Sequence, residues 1–306
     1  MAQELSSAGA LALIPPSALL RVPGCETGLR PQATAALPGG TVNRSFRLDT
    51  RAGSFVLRLN GAAGEVLGAN HEREVRLHAA AAAAGVAPQL IYADPVERCM
   101  IMRYVPGELW EASDFGRPER LRLLGATLRI LHAIAPPAVA PFDLAALLRG
   151  HAAHLAAEPA ERVLLEDLMA SADAALVLCA RGGRDATIVH NDLNHLNLIQ
   201  AERLTLIDWE YAAVADPIFD LGCVLAYYPQ AEPFAEELLD AAGPAGRGSM
   251  AELCGARFLF LLLSFLWYRR RRLSREVTAA EHAQERALLE RLRGWSSGIG
   301  TATSAD

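Results

Sequence analysis

The clearest chemical signal in the chain comes from three residues that are close in the sequence and have oxygen atoms in their side chains. Asp192 and Asn197 lie in the sequence VHNDLNHLNLI, and Asp208 follows in LIDWE. Apolar residues on both sides predict short buried segments that hold these polar tips over a cleft. One carboxylate and one carboxamide suit Mg²⁺, which takes few ligands from protein and the rest from phosphate and water. The other carboxylate is then left to accept or orient a proton.

The elements before this segment are predicted to be strands around one helix. Residues 43–59 alternate between polar and apolar side chains on either side of a turn that contains Gly, which predicts a β-hairpin. A helix is predicted over 70–84 and ends at Gly85. Two further strands are predicted at 89–93 and 99–104.

Pro106-Gly107 interrupts this pattern, and we predict a lobe boundary there, with one lobe at 1–105 and the other at 106–306. The second lobe is predicted to be mostly helical. Its helices are expected at residues 117–134, 143–157, 160–180, 218–228, 232–242, 250–273 and 277–293.

The composition excludes several classes of protein. All 29 Lys and Arg residues are Arg, so the chain has no Lys for a Walker A loop or for a Schiff base with pyridoxal phosphate. Hydrophobic residues at 52% and charged residues at 21% indicate a globular protein. The net charge of −6 argues against nucleic acid as an obligatory partner, because that affinity depends on neutralising phosphates.

Cysteine usage and hydrophobicity predict a cytoplasmic protein. The five Cys show no CxxC pattern, which is typical of reduced thiols, and the N-terminus lacks the basic region of a signal peptide. The apolar run at 258–268 is too short to cross about 30 Å of hydrocarbon at about 1.5 Å per residue. We therefore predict a buried core helix there and no membrane span. The sequence leaves both a monomer and a homodimer open.

The spacing of Asp192 and Asn197, with Asp208-Trp209-Glu210 downstream, resembles the catalytic loop and DFG segment of the protein-kinase-like fold. The sequences HNDLNHLNL, LIDWEYA and DPIFDL are similar to the choline kinase and thiamine kinase branch of the aminoglycoside phosphotransferase superfamily. The motifs cover about residues 35–230. The resemblance implies an α+β, two-lobed fold, with a small β-rich N-lobe around one main helix and a larger, mostly helical C-lobe.

The resemblance also assigns roles to the motif residues. Asp192 would be the catalytic aspartate that faces the substrate hydroxyl. Asn197 and Asp208 would hold Mg²⁺ against the phosphates of ATP. His190 would brace the catalytic loop, and Asp220 would bond its backbone from the start of a helix. A metallohydrolase site built on His190, Asp192 and Asp208 is the alternative on residue type alone, and the upstream hairpin argues against it.

On the nucleotide side, the sequence at 38–45, which includes Asn43, is similar to the short loop that covers the phosphates in these kinases. Arg58 stands where the β3 Lys of a protein kinase would be. Its planar fork binds two phosphate oxygens and stays charged. Glu74 is the favoured carboxylate partner of Arg58, and Glu72 is the rival, because two residues this close on a helix cannot both point inward.

The sequence IMRYVPG resembles the hinge between the lobes of a kinase. The adenine ring of ATP would be recognised there by backbone groups near Arg103 and Val105, with Met102 beside it. Met102 is alternatively a plain core residue, because recognition by the backbone leaves no signature in the side chains.

Aromatic residues suggest the class of substrate. Aromatic faces and a carboxylate suit a cationic alcohol such as choline or thiamine, through cation–π attraction and charge. Glu210 is the candidate for sensing the cation, and Trp209, Tyr211 and Trp267 are aromatic candidates, although each is alternatively a core residue. The Arg run at 269–272 would favour an acidic substrate if it faced the site. Further aromatic candidates are Trp110, Tyr227, Tyr228 and Tyr268.

The function implied is transfer of the γ-phosphoryl group of ATP to a hydroxyl of a small metabolite, with Mg²⁺ as cofactor. Its partners would be ATP and a small alcohol. Two other functions stay open. One is an aminoglycoside phosphotransferase, which would want a wide, acid-rich cleft. The other is a regulatory module that binds nucleotide without turnover.

Overall fold

A computed structural model describes residues 6–38, 43–61, 69–157, 159–246, 248–274 and 277–302 of the chain. Its contacts divide the chain into two units. Unit 1 comprises the described residues of Met1–Glu111, Pro136–Val139 and His195–Ala212, and unit 2 those of Ala112–Ala135, Ala140–Asn194 and Ala213–Asp306. The lobe boundary after residue 105 stays a prediction, and the inclusion of 195–212 in unit 1 was not foreseen from the sequence.

In the described part of unit 1, the main sheet has five antiparallel strands. They are β1 (Ala33–Ala36), β2 (Arg44–Thr50), β3 (Gly53–Leu59), β4 (Leu90–Asp94) and β5 (Cys99–Arg103), in the order β1-β2-β3-β5-β4. Strands β2 and β3 form the predicted hairpin, in which Arg44 pairs with Leu59 and Thr50 with Gly53. Gly53 has φ +124°, which other residues rarely adopt, so the turn depends on it.

One face of this sheet is apolar and is packed by the N-terminal segment. The alternation on the hairpin places Phe46 and Leu48 opposite Leu57 and Phe55 in the register, and all four are buried. Two short helices, α1 (Ser7–Ala12) and α2 (Pro16–Leu19), contribute to the same core. The buried residues of the N-terminal segment are Ala10, Ile14, Ala18, Val22 and Cys25.

The helix that follows the hairpin, α3 (His71–Ala83), agrees with the predicted range. The side chain of Asn70 caps it by accepting a hydrogen bond from the backbone of Arg73. A second sheet of unit 1 contains β6 (Glu108–Leu109), β8 (Leu198–Gln200) and β9 (Leu204–Leu206).

The described part of unit 2 is mostly helical, as predicted. Its two strands, β7 (Thr187–Val189) and β10 (Ala213–Ala215), pair antiparallel beside the catalytic-loop sequence. The last helix runs beyond its predicted end at residue 293. The helices are α4 (Pro118–His132), α5 (Leu144–Leu155), α6 (Pro159–Ala180), α7 (Ile218–Tyr227), α8 (Ala235–Gly246), α9 (Met250–Ser274) and α10 (Ala279–Ala302).

Helix α9 forms the core of unit 2 and packs against α6, α7 and α10. Gly222 on α7 allows close approach, because a Cβ there would lie 2.6 Å from the Cβ of Ala256. Within the described residues, Met250–Leu273 is the one helix with the length and composition of a membrane span, and 61% of its most apolar stretch is buried in the protein. The predicted burial of the run at 258–268 is confirmed for Phe258 and Phe265, which have no exposed surface.

Candidate active site

Arg58 is the centre of a buried polar cluster in unit 1. It lies on β3, on the face opposite Leu57, and is 5% exposed. Its Nη1 donates to Asp208 Oδ1 at 2.6 Å, and its Nη2 donates to Glu74 Oε1 on α3. Glu72 is exposed and pairs with Arg76 instead, so Glu74 is the partner of Arg58.

The charged groups of this cluster shift one another's pKa values. Burial disfavours the charged form of Arg58, but Glu74 and Asp208 outweigh it and raise the pKa of Arg58. Burial likewise opposes ionisation of Glu74, yet the positive charge of Arg58 lowers the pKa of Glu74 below its ordinary value. Glu210 behaves in the opposite way, because burial and then the negative charge of Asp208 raise its pKa to about 8.

Glu210 belongs to this cluster in unit 1. It is 7% exposed, and its Oε2 accepts a hydrogen bond from Asn43 Nδ2 at 2.8 Å. Asn43 Oδ1 accepts from the backbone of Gly61 at 3.2 Å, so this carboxamide of the predicted phosphate loop links the chain after β3 to the segment after Asp208. Residues 39–42 of that loop lie outside the described residues.

The structure does not support Trp209 as a substrate-wall residue. Its side chain has no exposed surface. Its Nε1 donates to the carbonyl of Leu206 at 3.0 Å, and its ring lies 6.0 Å from the ring of His78. The physical reason is that this hydrogen bond and the contact with His78 hold the indole in the core of unit 1. Tyr211, two residues later, is half-buried.

Asp208 and Asn197, the predicted Mg²⁺ ligands, both lie in unit 1. Asn197 ends a 3-10 turn before β8, and its carbonyl accepts from the backbone of Ile207 at 3.0 Å, which joins the two segments. Asp208 has φ +62°, in the left-handed region. In the described residues, no three His, Cys, Asp or Glu side chains form a metal cluster. One carboxylate and one carboxamide fit Mg²⁺, which is usually held by few protein ligands together with phosphate and water.

The catalytic-loop sequence in unit 2 is anchored by Asp220, at the start of α7. Asp220 is fully buried, and its carboxylate accepts from the backbone N–H groups of His190 at 3.0 Å and Asn191 at 2.9 Å. It also accepts from Nε2 of His132 on α4 at 2.9 Å. The ring of His190 braces the loop, because its Nδ1 accepts from the backbone of Asp192 at 3.3 Å. The motif pattern did not reveal His132.

Asp192 lies among aromatic residues of unit 2. Tyr227, at the end of α7, donates its hydroxyl to Asp192 Oδ1 at 2.9 Å. Tyr268 lies on α9 of the same unit. Burial and the charge of Glu281 raise the pKa of Tyr268, and Asp192 adds to the same shift. Trp267 packs edge-on against Tyr268, with ring centroids 5.0 Å apart.

The Arg side chains at 269–272 on α9 pair with other residues of unit 2. Arg269 pairs with Glu161 and Glu285, and Arg270 donates to Nδ1 of His151 at 3.1 Å. The two pairs of Arg269 neutralise charge between helices, whereas His151 is a neutral partner of Arg270. The guanidinium of Arg271 lies 4.8 Å from the ring centre of Trp267 and pairs with Glu281 at 3.4 Å.

The predicted hinge residues follow the sheet of unit 1. Met102 is buried on β5 and is paired with Val56 in the register. Arg103 is exposed, and its guanidinium lies 5.0 Å from the ring centre of Phe55. Val105 is half-buried. The hinge after β5 and contact with adenine both stay predictions.

Comparisons with known proteins point to one family. Residues 34–253 match the family model described as "Phosphotransferase enzyme family" (APH). None of the curated proteins matches. A choline/ethanolamine kinase family protein from Mesorhizobium loti superposes with a TM-score of 0.75 at 24% identity, over 92% of each chain.

Two further solved structures share the fold. Choline kinase LicA from Streptococcus pneumoniae has a TM-score of 0.75 at 17% identity, over 90% of this chain and 96% of its own. A spectinomycin phosphotransferase in complex with ADP and spectinomycin has a TM-score of 0.60 at 13% identity, over 88% of this chain and 94% of its own. The described chain therefore has the predicted protein-kinase-like fold of class α+β.

Proposed function

Because the chain belongs to the phosphotransferase enzyme family, we propose that it transfers the γ-phosphoryl group of ATP to a hydroxyl of a small molecule. The observation that carries the proposal is Arg58, a buried cation joined to Glu74 and Asp208. This is the arrangement in which a kinase holds the basic residue of β3. The family predicted from the motifs is confirmed by the match.

The residues of unit 1 would act on the nucleotide. Arg58 would bind phosphate oxygens through its guanidinium, with Glu74 holding that group in place. Asp208 and Asn197 would hold Mg²⁺, which when bound supplies positive charge that offsets the charge of the phosphates. Nucleotide binding by relatives supports this assignment, since LicA was solved in complex with AMP and the spectinomycin enzyme in complex with ADP.

Asp192 would act on the acceptor. Its carboxylate would orient the hydroxyl and take its proton late, as the bond from the acceptor oxygen to phosphorus forms and the bond to ADP breaks. The hydroxyl of Tyr227 would hold one oxygen of this carboxylate in place. Asp220 would keep the loop in the conformation that this role requires.

We propose a cationic alcohol, such as choline, ethanolamine or thiamine, as the acceptor. Support comes from the aromatic side chain of Tyr227, whose hydroxyl donates to the carboxylate of Asp192, and from Tyr268 on α9 of the same unit. Aromatic faces with acidic groups attract a quaternary or protonated amine. Arg269 and Arg271 on α9 are paired with Glu residues, so the Arg run no longer argues for an acidic substrate.

The test is Mg·ATP turnover with choline, ethanolamine, thiamine, neutral sugars and aminoglycosides as acceptors. Asp192→Asn should lower kcat by about 10²–10⁴-fold, the scale of a positioned acid–base group, with little change in the KM for ATP. Asp185→Asn is the matched control, since Asp185 is exposed in the segment before β7. Full activity of Asp192→Asn would refute the catalytic assignment.

The same panel separates the alternatives. Turnover of aminoglycosides alone would favour an antibiotic-modifying enzyme, a function that the fold shared with the spectinomycin phosphotransferase keeps in view. Turnover of only the neutral sugars would refute the cationic acceptor and leave the proposed phosphotransferase activity intact. Nucleotide binding without any turnover would favour a regulatory module.

A further inference from the structure

Asn60 is a buried carboxamide that joins three members of the Arg58 cluster. It lies just after β3 and is 8% exposed. Its Oδ1 accepts from Nε of Arg58 at 2.7 Å. Its Nδ2 lies 2.8 Å from Nδ1 of His71 and 3.4 Å from Oε2 of Glu74. None of the sequence motifs includes Asn60 or His71.

The orientation of this carboxamide follows from the chemistry of its neighbours. The Nε–H of Arg58 is only a donor, so the carboxamide oxygen must face it and the amide nitrogen must face the other side. There Glu74 is an acceptor, and Nδ1 of His71 accepts at the shorter distance of 2.8 Å. His71 and Glu74 therefore hold Asn60 with its oxygen towards Arg58.

The contacts of Arg58 use different parts of the guanidinium. Nε donates to Asn60 and Nη2 donates to Glu74, and these two nitrogens form one edge of the planar group. Nη1 is directed at Asp208, on the segment that would hold Mg²⁺. With one edge fixed from two sides, the plane of the guanidinium and the direction of Nη1 are both defined.

We infer that Asn60, supported by His71, is a positioning residue that allows Arg to serve where this fold normally has Lys. A Lys ends in a single ammonium group and has no donor at the depth of Nε, so the carboxamide oxygen of Asn60 would lose its donor in a Lys-containing site. Arg has that extra donor, and burial requires that it be satisfied. This inference rests on the proposed function, because the nucleotide is what Arg58 is positioned for.

The test is a double-mutant cycle on binding of Mg·ADP, measured by calorimetric titration. Asn60→Leu, close in shape to Asn, should raise the Kd for Mg·ADP about tenfold in the wild-type background, the scale of a lost hydrogen bond to a charged group. In the Arg58→Lys background the same change should alter Kd less than about twofold, since the bond is already gone. Asn60→Ala gives the same readout if the Leu variant does not fold.

Thr50→Val is the matched control, because Thr50 is also buried in the sheet and its hydroxyl donates to the carbonyl of Pro23. It should change stability and leave the Kd for Mg·ADP unchanged. An equal loss of affinity in the Arg and Lys backgrounds would overturn the inference, as would no loss in either. If the wild type failed to bind Mg·ADP, the proposed function would fail first and the inference with it.

Discussion

Removing the positive charge of Arg58 should affect stability and nucleotide binding in separable ways. Arg58→Met leaves the carboxylate of Glu74 buried, with 1% exposure and without its cation. The remaining hydrogen bond of Glu74, which it accepts from Nδ2 of Asn60, is 3.4 Å long. Breaking a buried pair from one side costs about 3–5 kcal/mol, so we expect a loss of that size in the free energy of unfolding.

The double variant Arg58→Met/Glu74→Leu should recover most of that stability. Both buried charges are then gone, and replacement of a buried ion pair by apolar residues is often neutral or stabilising. The side chain of Asp208 is 30% exposed and keeps contact with water, so its loss of Arg58 costs less. Neither variant should bind Mg·ADP with measurable affinity, because both lack the guanidinium.

The measurements are urea unfolding followed by tryptophan fluorescence, and calorimetric titration with Mg·ADP. Arg76→Met is the control, since Arg76 pairs with Glu72 on the exposed face of the same helix and should cost less than about 1 kcal/mol. A double variant as unstable as the single one would refute the reasoning about buried charge. Nucleotide binding retained in the double variant would refute the role of Arg58.

Three further changes test other parts of the structure. Tyr227→Phe removes the hydroxyl that donates to Asp192 and should lower kcat about tenfold at unchanged KM for ATP in steady-state assays; unchanged kcat would contradict the positioning role. Burial lowers the pKa of His151 from 6.5 to about 4, so the stability it contributes is complete above pH 6.5 and declines by up to about 3 kcal/mol as pH falls to 4. Urea unfolding across that range should show a smaller decline for His151→Phe, and equal slopes would refute the assignment. Gly222→Ala should cost about 2 kcal/mol in urea unfolding, because its Cβ would lie 2.6 Å from that of Ala256, and wild-type stability would show that the helices can separate freely.

Local patterns predicted the elements that carry the site. The alternation over 43–59 predicted the hairpin, because the register of an antiparallel pair follows from which side chains are buried. The helix at 70–84 was found from good helix formers before Gly85. Both signals lie within a short window of sequence, so neither needed the rest of the chain.

Contacts between residues that are far apart in the sequence could not be predicted from local patterns. His132 is a single His at the end of an amphipathic helix, and nothing around it shows that it meets Asp220, 88 positions away. Trp209 is ambiguous for another reason. The sequence around Asp208 is the same whether the neighbouring aromatic ring lines a cleft or fills the core. Only the packing against His78 shows that the ring of Trp209 lies in the core.

Whether Arg58 can replace the β3 Lys depends on its tertiary contacts, which the sequence does not show. A buried guanidinium brings five N–H donors where an ammonium brings three, and each buried donor without a partner costs free energy. The oxygen atoms that accept from Arg58 belong to residues 2, 16 and 150 positions away, namely Asn60, Glu74 and Asp208. The motif shows Arg replacing Lys but not the carboxamide that accompanies it. A Lys-free chain of this fold is therefore expected to compensate with an acceptor beside β3, and Asn60 is where this chain has one.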